Sequence, residues 1–167
     1  MIQLTHSHLQ TIYTHAENAY PEECCGILLG TIVGDNKRCI KVITTSNAWN
    51  TEETPEAFTH SQEYGRNKRY TISPKDLLQA QKQAREDSLS IIGIFHSHTD
   101  NPAIPSEFDR EYAWQEYCYI IVSVQKGRAV DIKSWYLDDN HQFQQQKLFS
   151  TKIFINFCKD TISKATV

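Results

Sequence analysis

The chain has 167 residues, 40% hydrophobic and 22% charged, one domain's length of globular composition, which excludes disorder, collagen-like repeats and coiled coil as its main character. Seventeen Lys and Arg against twenty Asp and Glu leave a formal charge of -3, so nothing draws it to nucleic acid or anionic lipid. No apolar run approaches the ~20 residues of a membrane span, and the opening residues 1–10 are polar, so the expectation is a cytoplasmic protein with no membrane partner.

Residues 8–19 carry Leu9, Ile12, Tyr13 and Ala16 at helical spacing, and Pro21 stops that helix. Residues 26–33 and 39–45 are β-rich runs around Gly34-Asp35-Asn36, which predicts a hairpin with Glu22 and Glu23 at its entrance. From 46 to 69 apolar periodicity disappears, which predicts a long excursion or a loop with one short strand. Its Trp49, Phe58 and Tyr64 either pack the loop down or line a groove for a peptide-like ligand. Ser73-Pro74-Lys75-Asp76 is a helix start, the helix running to about Asp87. Residues 90–97 form the strongest strand pattern, followed by a turn-rich stretch with Pro102 and Pro105 and a second helix start at Ser106, ending near Trp114. Residues 117–125 and 129–137 predict another hairpin across Lys126-Gly127-Arg128, while 148–157 reads as an edge strand or a helix. Strands and helices mix without regular βα alternation, so the fold class is α+β.

Five cysteines (Cys24, Cys25, Cys39, Cys118, Cys158) form no CxxC pair and have mostly apolar or aromatic neighbours, which predicts free buried thiols.

The chemistry concentrates at His96-Ser97-His98. Side chains two apart on a strand share a face, so both imidazoles can converge on one point. Ser106 lies eight residues beyond His98, and Asp109 three further on, in the first turn of a short helix whose N-terminus favours a carboxylate. Two histidines and one carboxylate are a catalytic zinc's ligand set with the fourth position left to water. The tripeptide His6-Ser7-His8 is an internal control, because Ala16 and Ala19 stand where Ser106 and Asp109 would fall.

This pattern, with Glu23-Cys24-Cys25-Gly26-Ile27-Leu28-Leu29-Gly30 upstream, resembles the JAMM family, also called MPN+ or JAB domain metalloproteases, over roughly residues 5 to 140. The resemblance implies a cytidine deaminase-like JAB/MPN fold: a single-layer mixed sheet curled around or flanked by helices. It spans a domain of residues 1–145 with a C-terminal tail at 146–167. It implies one zinc ion per chain on His96, His98 and Asp109, with Glu23 as general base and then general acid, and Ser106 as hydrogen-bond donor to the oxyanion. It picks Glu23 over Glu22 by register. The implied function is a stand-alone, zinc-dependent peptidase or isopeptidase cutting after the C-terminal Gly-Gly of a ubiquitin-like or sulfur-carrier (ThiS/MoaD-type) protein.

Two departures qualify that. Thr99 replaces the proline that often follows the second histidine in the short bacterial branch, and only eight residues separate Asp109 from Cys118, so the insertion that grips a distal ubiquitin is missing. The competing reading is a non-catalytic MPN-type scaffold; such modules typically lose ligands, and this chain keeps the set. A role on DNA, as in a repair-associated branch, is opposed by the acidic charge, and no HExxH occurs. His6, His8, His15, His60 and His141 are assigned to surface or helix-terminal roles, and the sequence carries no signal for an oligomeric state.

Overall fold

The computed structural model describes residues 1–58 and 64–151. In chain order they form β1 (Ile2–Thr5), α1 (His6–Ala19), β2 (Cys25–Val33), β3 (Asn36–Thr45), a 3-10 turn (Glu56–Phe58), α2 (Pro74–Glu86), β4 (Ser90–Thr99), α3 (Glu107–Glu111), β5 (Cys118–Gln125), β6 (Arg128–Leu137), β7 (Phe143–Gln146) and β8 (Leu148–Thr151). The strands make one mixed sheet in the order β7-β6-β5-β4-β2-β3-β1-β8. β1 runs parallel to β3 and β8, β4 runs parallel to β5, and the other pairs are antiparallel.

The sheet is flanked by helices on both faces. Leu9, Ile12 and Ala16 of α1 join Ile2, Leu4, Leu28, Phe95, Ile120 and Val122 in one core. Ala80 and Ala84 of α2 join Ile27, Leu29, Ile94 and Tyr119 in the other. Strands apolar on both faces follow from that double cover, and β2, β4 and β5 are the buried centre.

α1 begins two residues earlier than its apolar periodicity suggests. Thr5 Oγ1 accepts from the His8 backbone N–H at 3.2 Å, and the Thr5 N–H donates to His8 Nδ1 at 3.3 Å, a reciprocal cap. His6-Ser7-His8 is thus a helix start, in keeping with a helix-terminal reading. α2 starts at Ser73 as expected, its side chain accepting from the Asp76 N–H at 3.1 Å. α3 stops at Glu111, short of Trp114, with the Tyr112 N–H bonded back to the Phe108 carbonyl and the Ala113 N–H to the Arg110 carbonyl.

Three strands escape a reading of periodicity. β1, β7 and β8 have four residues each, too short for alternation to stand out. β8 pairs in parallel with β1 from Leu148 to Thr151, so the edge-strand alternative holds for the described part of 148–157 and the sheet continues past residue 145. Residues 152–157 lie outside the described residues. Between 46 and 69 the described residues form no strand but a 3-10 turn. Cys24, Cys25, Cys39 and Cys118 are free and buried, as expected, and Cys158 lies outside the described residues. No described helix is long and apolar enough to cross a membrane.

Candidate metal centre

A bulge in β4 sets which way the histidines face. Leu28 pairs with Gly93 and Leu29 with Ile91, leaving Ile92 as the extra residue. Ile92 and Phe95 therefore serve the α1 core while Ile94 serves the α2 core. With period two, His96 and His98 follow Ile94 onto the α2 face, and Ser97 turns to the other side, where its Oγ accepts from the Cys24 N–H at 2.8 Å. The connection from β4 to its parallel neighbour β5 carries α3 and brings Asp109 back over the end of β4.

Asp109 is aimed by its own cap. The Ser106 hydroxyl and backbone N–H both donate to Asp109 Oδ2 at 2.6 Å, and Ser106 Oγ accepts from the Asp109 N–H at 3.2 Å. So aimed, Asp109 Oδ1 is 3.3 Å from His96 Nε2, Asp109 Oδ2 is 3.5 Å from His98 Nε2, and the two Nε2 atoms are 3.1 Å apart.

These atoms suit a divalent metal. A tetrahedral zinc with bonds of ~2.0 Å has ligand-to-ligand edges of about 3.3 Å; the two nitrogens are 3.1 Å apart, each has one oxygen of the Asp109 carboxylate within 3.5 Å, and one ligand atom from each residue fits within 4.8 Å of the other two. His98 Nδ1 lies 2.9 Å from the Pro102 carbonyl, which fixes it as the N–H and turns the Nε2 lone pair inward. Two imidazole nitrogens and a carboxylate facing one another repel unless a proton or a metal cation is shared among them. All three residues are buried, so solvent does not relieve that repulsion.

The charges respond accordingly. Burial pushes His96 down to about 4, which keeps it a neutral ligand. Burial opposes ionisation of Asp109 too, but the neighbouring His96 and the hydrogen bonds from His98 and from the Ser106 hydroxyl and backbone N–H outweigh it and hold the carboxyl well below the usual range. For His98 burial is likewise outweighed, by Asp109, Glu23 and the Pro102 carbonyl, and its pKa rises. Glu23 lines the same cavity of about 330 Å³ as His98, Ser106 and Asp109. Burial raises its carboxyl to about 8, with Asp109 adding to the rise and His98 and Arg69 opposing it. Four of the five residues singled out in the sequence, Glu23, His98, Ser106 and Asp109, therefore line one cavity, and the fully buried His96 stands behind it against His98 and Asp109, whereas Glu22 points away into an ion pair with Arg66 at 3.0 Å.

Three further residues were not legible beforehand. Tyr70 stacks on the His96 ring at 4.3 Å and 20°. Asn47 donates to the Glu23 carbonyl at 3.0 Å and the Arg69 carbonyl at 2.9 Å, and its Oδ1 accepts from the Trp49 and Thr71 N–H groups, tying the chain around Glu23 to the 46–71 segment. Arg69 lines the cavity itself. Tyr70 and Arg69 sit in a stretch without periodicity, and only an asparagine at a strand's exit signals Asn47. Trp49 is fully buried, donates to the Tyr64 carbonyl at 2.8 Å and packs against Phe58 and Phe108, so it pins the loop. Phe58 also lines an apolar cleft with Tyr70, Ile72, Phe108 and Tyr112.

Over residues 5–138 the chain matches the family described as prokaryotic homologs of the JAB domain, and it belongs to that family. It is 28% identical over 126 residues to a desampylase from Pyrococcus furiosus, covering 75% of this chain and 74% of that protein. A shorter match, 37% over 60 residues, joins it to a probable TtuB-protein conjugate cleaving protease from Thermus thermophilus, covering 36% of this chain and 40% of that one. A solution structure of a Desulfitobacterium hafniense protein superposes with a TM-score of 0.74 at 25% identity, covering 92% and 94% of the two chains. The α+β JAB fold is thus that of the family.

Proposed function

We propose that this chain is a zinc-dependent JAMM-type peptidase that hydrolyses the bond following the C-terminal Gly-Gly of a ubiquitin-like or sulfur-carrier protein. The observation that carries the reading is the convergence of His96 Nε2, His98 Nε2 and the Asp109 carboxylate at 3.1 to 3.5 Å. The names of the relatives, a desampylase and a conjugate cleaving protease, support the substrate class.

Zinc held by His96, His98 and Asp109 would supply a Lewis acid and acidify bound water to a pKa of about 7. The rest falls to the chain. Glu23 takes a proton from the attacking water, holds it on its carboxyl and returns it to the departing amine; a carboxyl raised into the neutral range suits a group that must both accept and donate. Ser106 turns its hydroxyl from Asp109 Oδ2 to the oxyanion, and its backbone N–H keeps Asp109 aimed meanwhile. The burial of His96 and His98 keeps bulk water from competing for these groups.

The test is to incubate zinc-loaded protein with sulfur-carrier and ubiquitin-like proteins bearing C-terminal extensions and to read masses with and without chelator. Chelator-sensitive loss of the residues after Gly-Gly is the expected result. Unchanged masses for every candidate, with zinc bound, overturn the substrate class; cleavage that persists in chelator overturns the metal.

A further inference from the structure

Arg69 is prepared for an anion that the described chain does not supply. Its guanidinium lies 4.4 Å from the Tyr64 ring centre and 4.5 Å from that of Phe108, contacts with two aromatic rings that hold a planar cation in place. Its described hydrogen bond runs from Nη1 to the Lys68 carbonyl at 2.7 Å, so among the described residues most of a guanidinium's five N–H donors have no acceptor. It pairs with no carboxylate among the described residues, in contrast to Arg66 on Glu22 and Arg110 on Glu107.

Its position gives that fork a meaning. Arg69 lines the cavity that holds Glu23, His98, Ser106 and Asp109, and Phe108, beneath it, immediately precedes Asp109 in α3. Lys68 lines the same wall. An anion seated there shares the cavity with Glu23, His98, Ser106 and Asp109.

We infer that Arg69 binds the free α-carboxylate of a single residue leaving the substrate's C-terminus, so that the chain trims one terminal residue after Gly-Gly in preference to cutting a lysine-linked conjugate. The inference rests on the peptidase reading above and adds which bond is chosen. A terminal residue carries its carboxylate one carbon from the departing nitrogen, close enough to meet a cation on the same cavity wall, and a planar fork matches that group by paired hydrogen bonds. A lysine side chain leaving from a conjugate has no such charge beside its nitrogen. The chemistry is plain hydrolysis: the C–N bond breaks, the oxygen of water joins the glycine carbonyl carbon, and a proton ends on the released amine.

The experiment uses one sulfur-carrier-type protein extended after Gly-Gly by a single alanine, made as the free acid and as the carboxamide, with a lysine-linked isopeptide of the same carrier as a third substrate. The wild-type chain should cleave the acid with a kcat/KM at least about tenfold above the amide, the difference residing in KM, as for loss of one charge-assisted pair. Arg69→Gln should bring acid and amide within about twofold, any loss it causes through the Glu23 carboxyl falling equally on the amide and the isopeptide, so that the acid loses about tenfold more than either, with Arg69→Lys between. Binding of the two carriers to the Glu23→Gln protein, followed by calorimetry, should show the same preference without turnover. Equal handling of acid and amide by the wild type, or an Arg69→Gln loss of the same size on all three substrates, overturns the inference. If the wild type cleaves none of them, the peptidase reading fails, and the binding preference still decides whether Arg69 receives a carboxylate.

Discussion

Glu23 is the residue on which structure and chemistry pull hardest against each other. Its backbone is fixed by a hydrogen bond from its N–H to the Arg66 carbonyl at 2.8 Å and by Asn47, while burial makes its charged form costly, raising the carboxyl from 4.5 to about 8. Because the folded pKa lies above the unfolded one, metal-free protein holds this proton through that interval. The stabilisation is full below about 4.5 and is lost as pH rises through about 8. Glu23→Gln, a neutral mimic of the protonated acid, should therefore melt like the wild type at about pH 4 in chelator and be more stable by a few kcal/mol at about pH 9, where each pKa unit is worth ~1.4 kcal/mol. Thermal melts at the two pH values check this, and equal melting at pH 9 rejects the buried acid. The same variant, loaded with zinc, should lose about 10²- to 10⁴-fold in kcat. Three residues on, Gly26 shows why the motif has a glycine: a Cβ there would stand 2.2 Å from the Phe95 ring and 2.3 Å from the Ile43 carbonyl oxygen. Gly26→Ala should cost about 1 to 3 kcal/mol or more, read by denaturant titration, since a backbone atom of β3 has to move.

At the scale of elements, what was legible had local causes. The β2–β3 and β5–β6 hairpins announce themselves through turn residues, α2 through Ser73-Pro74, and β4 through an apolar run ending in the paired histidines. The site was legible for the same reason: period two along β4 puts His96 and His98 on one face and a cap at α3 aims Asp109, while the pairing with β2 decides which face that is. β8 was legible only as one of two alternatives, and β1 and β7 were not legible, because a four-residue strand owes its identity to the neighbours it pairs with. Nor was the 46–71 segment, whose order comes from Asn47 and Trp49 meeting carbonyls of residues far along the chain. Asn47→Ala would leave the buried Glu23 carbonyl and the Thr71 N–H without that partner, at roughly 1 to 3 kcal/mol per lost buried group. The expected outcome is a lower melting temperature together with a kcat drop beyond the unfolded fraction, while zinc stoichiometry, read by atomic absorption, stays at the wild-type value. Unaltered kcat in the folded variant would show that Glu23 keeps its place without the clamp.

For the whole molecule, the sheet's order makes the metal centre a joint between parts far apart in sequence. β2 supplies the Glu23 entrance, β4 the histidines and the β4–β5 crossover the aspartate, with β2 and β4 adjacent in the sheet. Unfolding separates all of these, so a cation that binds the assembled site stabilises the fold by mass action. Zinc at a thousand times its dissociation constant contributes about 4 kcal/mol, which for a chain of this length raises the melting temperature by roughly 8 to 16 °C. Asp109→Asn removes the anionic ligand while keeping shape, so it should abolish most of that rise. Glu23→Gln keeps all three ligands and should retain the rise in full, with chelator reversing it. Differential scanning calorimetry of the three proteins with and without zinc separates holding the metal from using it. A rise that persists in Asp109→Asn means zinc is held elsewhere, and one lost in Glu23→Gln would make Glu23 a ligand, leaving the reaction without its proton carrier.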